Sequence, residues 1–256
     1  MTTTPTTSVI PGCEPMSHVG GSPIGVLVVH GFTGTPASMR GVADAMAVAG
    51  FDVELPRLPG HGTTVQDMLT TGWSDWTAEV ARARGALAER CAQVVLVGQS
   101  MGATLVLASA LAEPGAAGLV CINPVTRMRS PEELDLIDDL LADEFEIVPG
   151  EGSDIADPDG FDISYDGTPL RPLRSLLHDG LAPIERRFAE LTAPLRLFTS
   201  RQDHVVPPAD SEHLVATYGG DVDHSWLELS FHVATRDFER DVVIAESVAF
   251  VERVAR

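Results

Sequence analysis

Gly98-Gln99-Ser100-Met101-Gly102 places a serine between two glycines at the spacing G-x-S-x-G. It directly follows a β-rich run, Gln93–Val97, and directly precedes a helix-like stretch. Small residues at both ends permit a sharp strand-to-helix turn that lifts the hydroxyl above a sheet, beside the positive end of a helix dipole. A serine that merely caps the following helix would explain Ser100 but not both glycines. A serine nucleophile needs a general base, and the base needs an orienting carboxylate. Five histidines follow Ser100: His178, His204, His213, His224 and His232. His232 stands just past the last strand candidate, where a loop can return an imidazole over the sheet. His224 precedes that strand and is expected at its opposite end, and His213 falls in a helix pattern with a solvent-facing role. For the acid, Asp203 follows the run Leu195–Thr199 closely and should emerge at the same sheet edge as Ser100. Its other reading is an Asx-type turn residue, and Asp210, Asp221 and Asp223 remain as substitutes, none right after a strand. Upstream, Val29-His30-Gly31-Phe32-Thr33-Gly34 opens a glycine-containing loop. That loop reads either as a plain turn or as half of an oxyanion hole, with the amides of Phe32 and Met101 as the expected donor pair. His30 itself reads as a structural hydrogen-bonding residue.

These positions make sense only if the elements around them form an α/β fold. From Gly25 onward, short β-branched runs alternate with helical stretches, the pattern of a mostly parallel sheet covered by helices. The strand candidates are Gly25–Val29, Asp52–Leu55, Gln93–Val97, Gly118–Ile122, Leu195–Thr199 and Ser225–Leu229. Pro36–Gly50, Ser74–Arg90, Met101–Leu111, Pro208–Tyr218 and Arg236–Val254 read as helices. The interval from about Val125 to Ala182 breaks the alternation and is rich in Asp, Gly and Pro. Inside it, Ser130-Pro131-Glu132-Glu133 has the form of a capping box. It predicts a helix over Ser130–Val148 with Leu134, Ile137, Leu140, Leu141, Phe145 and Val148 on one face. That helix is either a surface helix packed on the core or the roof of a pocket for an apolar substrate tail, because α/β folds bind ligands beyond the strand carboxyl ends. A homodimer contact through the same stripe stays open.

Composition narrows the chemistry. The chain has 256 residues, enough for one domain of this type with an insertion. It contains no lysine, which excludes Schiff-base and phosphate-loop lysine mechanisms. A formal charge of −20 without a basic cluster argues against nucleic acid as a partner. Cys13, Cys91 and Cys121 are an odd number and widely spaced, so neither a disulfide framework nor a zinc site is expected. The stretch from Met1 to Ser8 lacks the pattern of a secretory signal, and no apolar run approaches the roughly 20 residues of a membrane span. A cytoplasmic protein without stable membrane insertion is the expectation.

On these residues the chain resembles the α/β-hydrolase superfamily, and within it the bacterial monoacylglycerol lipases and related small carboxylesterases. The resemblance is carried, in order, by His30-Gly31-Phe32-Thr33-Gly34-Thr35-Pro36, by Leu55-Pro56-Arg57-Leu58-Pro59-Gly60-His61-Gly62-Thr63 and by the Gly98–Gly102 elbow. It continues through Asp203-His204-Val205-Val206-Pro207-Pro208 and His232-Val233-Ala234-Thr235. It implies an N-terminal segment 1–24 and a single α/β-hydrolase domain over 25–256, a mostly parallel sheet flanked by helices with a small cap at about 125–182. It further implies Ser100, Asp203 and His232 as a catalytic triad, with Phe32 and Met101 as oxyanion donors. In the cap, Tyr165-Asp166-Gly167-Thr168-Pro169 is similar to a family segment whose acid faces the glycerol end of the substrate. That acid would be Asp166, although an Asp-Gly turn explains it equally.

The resulting expectation is a serine ester hydrolase acting on monoacylglycerols through an acyl-enzyme. It would need no cofactor or metal and have a lipid ester as its small-molecule partner. Leu134, Ile137 and Leu140 are the expected acyl-contacting residues. A short-chain carboxylesterase, a thioesterase, an acyltransferase and a silent ligand receptor on the same fold are the alternatives. Dehalogenase or epoxide-hydrolase chemistry would want an aspartate at position 100.

Overall fold

The computed structural model describes residues 8–150 and 152–255. In chain order it contains β1 (Met16–His18), β2 (Ile24–Val29), α1 (Pro36–Val48), β3 (Asp52–Leu55), α2 (Val65–Met68), α3 (Trp73–Ala88), β4 (Gln93–Gln99), α4 (Met101–Ala112) and β5 (Gly118–Ile122). These are followed by α5 (Pro131–Ala142), β6 (Ile147–Pro149), β7 (Gly167–Pro169), α6 (Leu170–Ser175), a π-helical turn (Leu176–Leu181) and α7 (Ala182–Ile184). β8 (Leu195–Ser200), α8 (Pro208–Thr217), β9 (Val222–Leu227) and α9 (Arg240–Val254) complete the chain.

Seven strands form one sheet in the order β1-β3-β2-β4-β5-β8-β9, and β6 pairs with β7 in a separate two-stranded ribbon. Every pairing in the large sheet is parallel except that of β1 with β3. Because β3 lies on one side of β2 and β4 on the other, the direction of winding reverses between β2 and β4. A crevice opens there at the strand carboxyl ends. Register puts Val29 of β2 opposite Gly98 of β4, so the loop after β2 and the turn after β4 leave the sheet side by side.

Both faces of the sheet are buried at its centre, which is why β2, β4 and β5 read as nearly continuous apolar runs. Alternate residues part to the two sides: Leu27, Val29, Leu96, Leu119 and Leu197 join a core under α3, α4 and α8. Val26, Val28, Val95, Val97 and Val120 join a second core under α1 and α9. Trp76 fills the first and Phe250 the second, each almost wholly buried. α4 is apolar on all sides because it lies against the sheet and under neighbouring helices, with seven consecutive residues, Met101 to Leu107, buried.

Three features depart from the sequence expectation. Met16–His18 adds an antiparallel edge strand upstream of Gly25. The last strand begins at Val222, so His224 lies within it, its Nε2 2.8 Å from Thr199 Oγ1, rather than at its far end. The helix that starts at the Ser130 capping box ends at Ala142 rather than Val148, and residues 147–149 pair as a strand with Gly167–Pro169. The helix stops because Glu144 turns into the left-handed region at φ 65°. There the N–H of Phe145 reaches Leu140 O and that of Glu144 reaches Leu141 O, the two bonds of a Schellman cap.

Candidate active site

Ser100 adopts φ 55° and ψ −124°, a strained backbone for a non-glycine residue, between the end of β4 and the first residue of α4. The flanking glycines permit it. A Cβ on Gly98 would collide with the carbonyl of Gly102, and one on Gly102 with the carbonyls of Val29 and His30. Ser100 N–H donates to Ile122 O at 2.9 Å, which ties the turn to β5.

Asp203 follows β8 and His232 follows β9, and the two meet: Nδ1 of His232 is 2.7 Å from Asp203 Oδ2. Both side chains are almost fully buried. Asp203 Oδ1 accepts the N–H groups of Val205 and Val206 at 2.9 and 2.7 Å, so the carboxylate is held on both oxygens. His232 and Ser100 line the same cavity of about 460 Å³, without a direct hydrogen bond between them among the described residues. His204 also lines this cavity, its Nδ1 2.9 Å from Asp154 Oδ1, whereas His213, Asp210 and Asp223 lie elsewhere. His213, on α8, is half-buried against Phe188 rather than solvent-facing, and its Nε2 is without a partner among the described residues. Asp210 accepts the amides of Thr126 and Arg127 and pairs with Arg129. Asp223 pairs with Arg196 and Arg253.

The loop after β2 runs beside the nucleophile: a Cβ on Gly31 would stand 3.2 Å from Ser100 Cβ. Leu58 N–H donates to His30 Nε2 at 3.2 Å, which leaves Nδ1 as the protonated nitrogen and the Gly31 carbonyl, 3.0 Å away, as its acceptor. His30 therefore holds this loop as a neutral, fully buried ring. Burial, with His61 beside it, keeps its pKa well below the ordinary range. Phe32 lines the cavity. Met101 opens α4, where a first-turn N–H has no partner within the helix.

The expected cap residues are not brought to this cavity. Asp166 is exposed and borders a shallower neighbouring depression with Ile147 and Pro149. Leu134 and Ile137 pack half-buried against the core, and Leu140 lies half-buried on the same face of α5. The insertion reaches the cavity instead through Ser153, Asp154, Ile155, Asp162, Tyr165 and Thr168. Among the described residues no group of three or more His, Cys, Asp or Glu side chains is gathered to hold a metal ion, and no helix is long and apolar enough to cross a membrane.

Comparison with known proteins matches residues 26–253 to the model of the alpha/beta hydrolase family. The chain is 36% identical to the thermostable monoacylglycerol lipase of Bacillus sp. (strain H-257), across 96% of this chain and 97% of that protein. It is 25% identical to a carboxylesterase of Bacillus subtilis (strain 168), across 94% and 97% of the two. A solved structure from work on LipS and LipT, two metagenome-derived lipolytic enzymes, superposes with a TM-score of 0.89 at 39% identity, covering 96% of this chain and all of that one. The chain belongs to the alpha/beta hydrolase family.

In this hydrolase, three further polar residues stand at the cavity: Asp162 and Asp154, which carry no motif in the sequence, and Tyr165, which lies in the Tyr165–Pro169 segment but is not singled out there. Asp162 has one carboxylate oxygen, Oδ1, buried without a partner among the described residues. Burial pushes its carboxyl pKa up, against the opposing pull of the Ile163 amide and Arg236. Tyr165 donates its hydroxyl to Gly60 O at 2.7 Å and its amide to Thr33 O at 3.1 Å, which ties the insertion to the hydrolase's loops after β2 and β3. Asp154 contacts the loops that carry Asp203 and His232. An Asp among many acidic residues gives no signal of its own. Only its unmet or multiple hydrogen bonds in the fold single it out.

Proposed function

We propose that this hydrolase cleaves monoacylglycerols to glycerol and a fatty acid, with Ser100 as nucleophile, His232 as general base and acid, and Asp203 as its orienting carboxylate. The observation that carries the reading is the 2.7 Å contact between His232 and Asp203 in the wall of the cavity that Ser100 also lines. With Nδ1 committed to Asp203, Nε2 is the nitrogen left for the serine proton. The Oγ–Nε2 bond is one that forms as substrate settles, as catalytic hydrogen bonds in unliganded sites commonly do.

Attack of Oγ on the ester carbonyl carbon passes its proton to Nε2 and converts the carbonyl oxygen to an alkoxide. The amides of Phe32 and Met101 hold that alkoxide, each donor contributing roughly 2.7–4 kcal/mol in the transition state. Collapse breaks the bond to the glycerol oxygen, which leaves with the proton from Nε2. Water then attacks the acyl-enzyme, giving its proton to Nε2, and collapse frees the fatty acid and returns the proton to Oγ. The insertion at about 125–182 acts as the cap of the site. Asp162, a residue of the cavity wall with one carboxylate oxygen buried and without a partner among the described residues, is the group that reads the glycerol hydroxyls. The 36% identity to a monoacylglycerol lipase supports this substrate class. The free, buried Cys13, Cys91 and Cys121 agree with a cytoplasmic setting.

A short-chain carboxylesterase is the second reading, favoured by a cavity wall in which Ser153, Asp162, Ser164 and Thr168 are polar. Fatty-acid release from a monoacylglycerol series, beside diacylglycerols and short nitrophenyl esters, separates the two when wild type and Ser100→Ala are compared. Ser100-dependent preference for monoacylglycerols supports the first reading. Ser100-dependent turnover of short esters alone supports the second.

A further inference from the structure

The backbone of His232 is gripped from two directions. Its C=O accepts from Asn123 Nδ2 at 2.8 Å, and its N–H donates to Asp154 Oδ2 at 3.1 Å. Asn123 follows β5 directly and also accepts Ser200 N–H at 2.7 Å, so that jaw of the clamp is fixed to the sheet. Asp154 lies in the insertion between β6 and β7. The same Oδ2 accepts the backbone N–H of His204, the residue after Asp203, at 3.1 Å. Oδ1 lies 2.9 Å from His204 Nδ1, and the Asp154 carbonyl accepts Val233 N–H at 3.0 Å. One carboxylate of the insertion thus joins the loop that carries Asp203 to the loop that carries His232. β9 ends at Leu227, so no strand ladder fixes His232, and these side-chain bonds set its place.

We propose, resting on the triad reading above, that Asp154 is a positioning residue through which the insertion holds the general base in register. The imidazole keeps Nδ1 on Asp203 and Nε2 toward Ser100 while the insertion is seated. The same segment that walls the substrate cavity thereby sets the competence of the base.

The test compares Asp154→Ala and Asp154→Asn with wild type and Ser100→Ala. Asparagine retains a carbonyl oxygen for both backbone N–H groups and presents its amide to His204 Nδ1. Asp154→Ala should lower kcat about 10- to 100-fold with KM within about threefold of wild type, and Asp154→Asn should restore kcat to within about threefold. In proton NMR the far-downfield Nδ1–H of His232 bound to Asp203 should shift or broaden in the alanine variant and return in the asparagine one. An alanine variant with wild-type kcat, a loss confined to KM, or an asparagine variant as slow as alanine overturns the proposal. Where Asp154→Ala does not fold, Asp154→Ser stands in, a polar residue whose shorter side chain has no carboxylate oxygen to reach the N–H groups of both His204 and His232. A folded serine variant with wild-type kcat and an unmoved Nδ1–H signal overturns the proposal, and a lowered kcat with a moved signal supports it. Activity that survives Ser100→Ala refutes the triad reading itself, whereas Ser100-dependent activity indifferent to Asp154 refutes only the clamp.

Discussion

His232 Nδ1 donates to Asp203 Oδ2 across 2.7 Å, while Asp203 Oδ1 accepts two consecutive backbone amides, those of Val205 and Val206. The turn reading and the orienting reading of Asp203 therefore describe the same side chain, and together they fix what an asparagine would do. Its carbonyl oxygen must face the two N–H donors, which points its NH₂ at Nδ1 and forces the imidazole into the tautomer with Nε2 protonated. That ring cannot take the serine proton. Asp203→Asn should leave the melting temperature nearly unchanged and lower kcat by about 10⁴-fold, as tautomer inversion does in triads generally. Ester turnover and a thermal melt on the same preparation check both halves. A kcat near wild type would sink the assignment of Asp203.

Gly98 and Gly102 are required by close approach of backbone to backbone, which a flexible neighbour cannot relieve. Gly102→Ala should destabilise the fold by more than about 3 kcal/mol, a fall of roughly 6–12 °C in Tm for a chain of this size, or abolish soluble expression. Gly85, inside α3 with nothing within 4 Å of an added Cβ, is the matched control. Gly85→Ala should raise stability by about 0.5–1 kcal/mol. Equal melting temperatures for the two variants would show that the elbow is looser than its geometry requires.

Much of the fold and of the candidate site is legible in the sequence, for identifiable reasons. Gly118–Ile122 is a strand at the limits its apolar run predicts, because a strand buried on both faces is bounded by where the apolar residues stop, and Asp52–Leu55 is a strand at the limits expected although its apolar residues only alternate with Asp52 and Glu54. Ser130 caps α5 as its spacing demands, with Glu133 Oε2 accepting Ser130 N–H at 2.9 Å. The other end of that helix was illegible, since the left-handed C′ position is held by Glu144 rather than glycine or asparagine. The apolar periodicity continues through Phe145 and Val148, past the point where the helix stops. Ser100, Asp203 and His232 could be read because each follows a strand, and strand ends are visible in the sequence. Asp162 and Asp154 could not, because they reach the cavity from irregular chain between β6 and β7 whose path no periodicity encodes.

Asp162 offers a direct test of how the cavity reads the alcohol end of a substrate. A buried carboxylate oxygen without a partner is costly in the empty site and gains by meeting a hydroxyl. Asp162→Leu should raise KM for monoacylglycerols about 10- to 100-fold, the equivalent of one lost hydrogen bond to a charged group, and leave turnover of short nitrophenyl esters nearly unchanged. Because it removes a carboxyl whose pKa burial raises, the variant should melt no lower than wild type. A parallel loss on both substrate classes would place Asp162 in the scaffold rather than in recognition.

His61 links the fold to acid. Its ring is fully buried between His30, 5.0 Å away, and Trp76, 5.7 Å away, and its Nε2 is without a partner among the described residues. Burial lowers its pKa to about 4 from the ordinary 6.5, with the Arg57 guanidinium adding to the effect and the Pro59 and Leu58 backbone opposing it. The unfolded chain therefore binds the proton more readily than the folded one. The stabilising contribution of the neutral ring is complete above pH 6.5 and is lost progressively as pH falls from 6.5 to about 4, amounting to about 3 kcal/mol. Urea unfolding at pH 7 and pH 4.5 should show a steeper loss for wild type than for His61→Gln, whose amide has no such proton to gain. Identical slopes would mean that His61 is hydrated or protonated in the fold. His30, which rests against His61 and holds the Gly31 carbonyl, would then lose its dry neighbour, and the loop beside Ser100 would have to be held by other bonds.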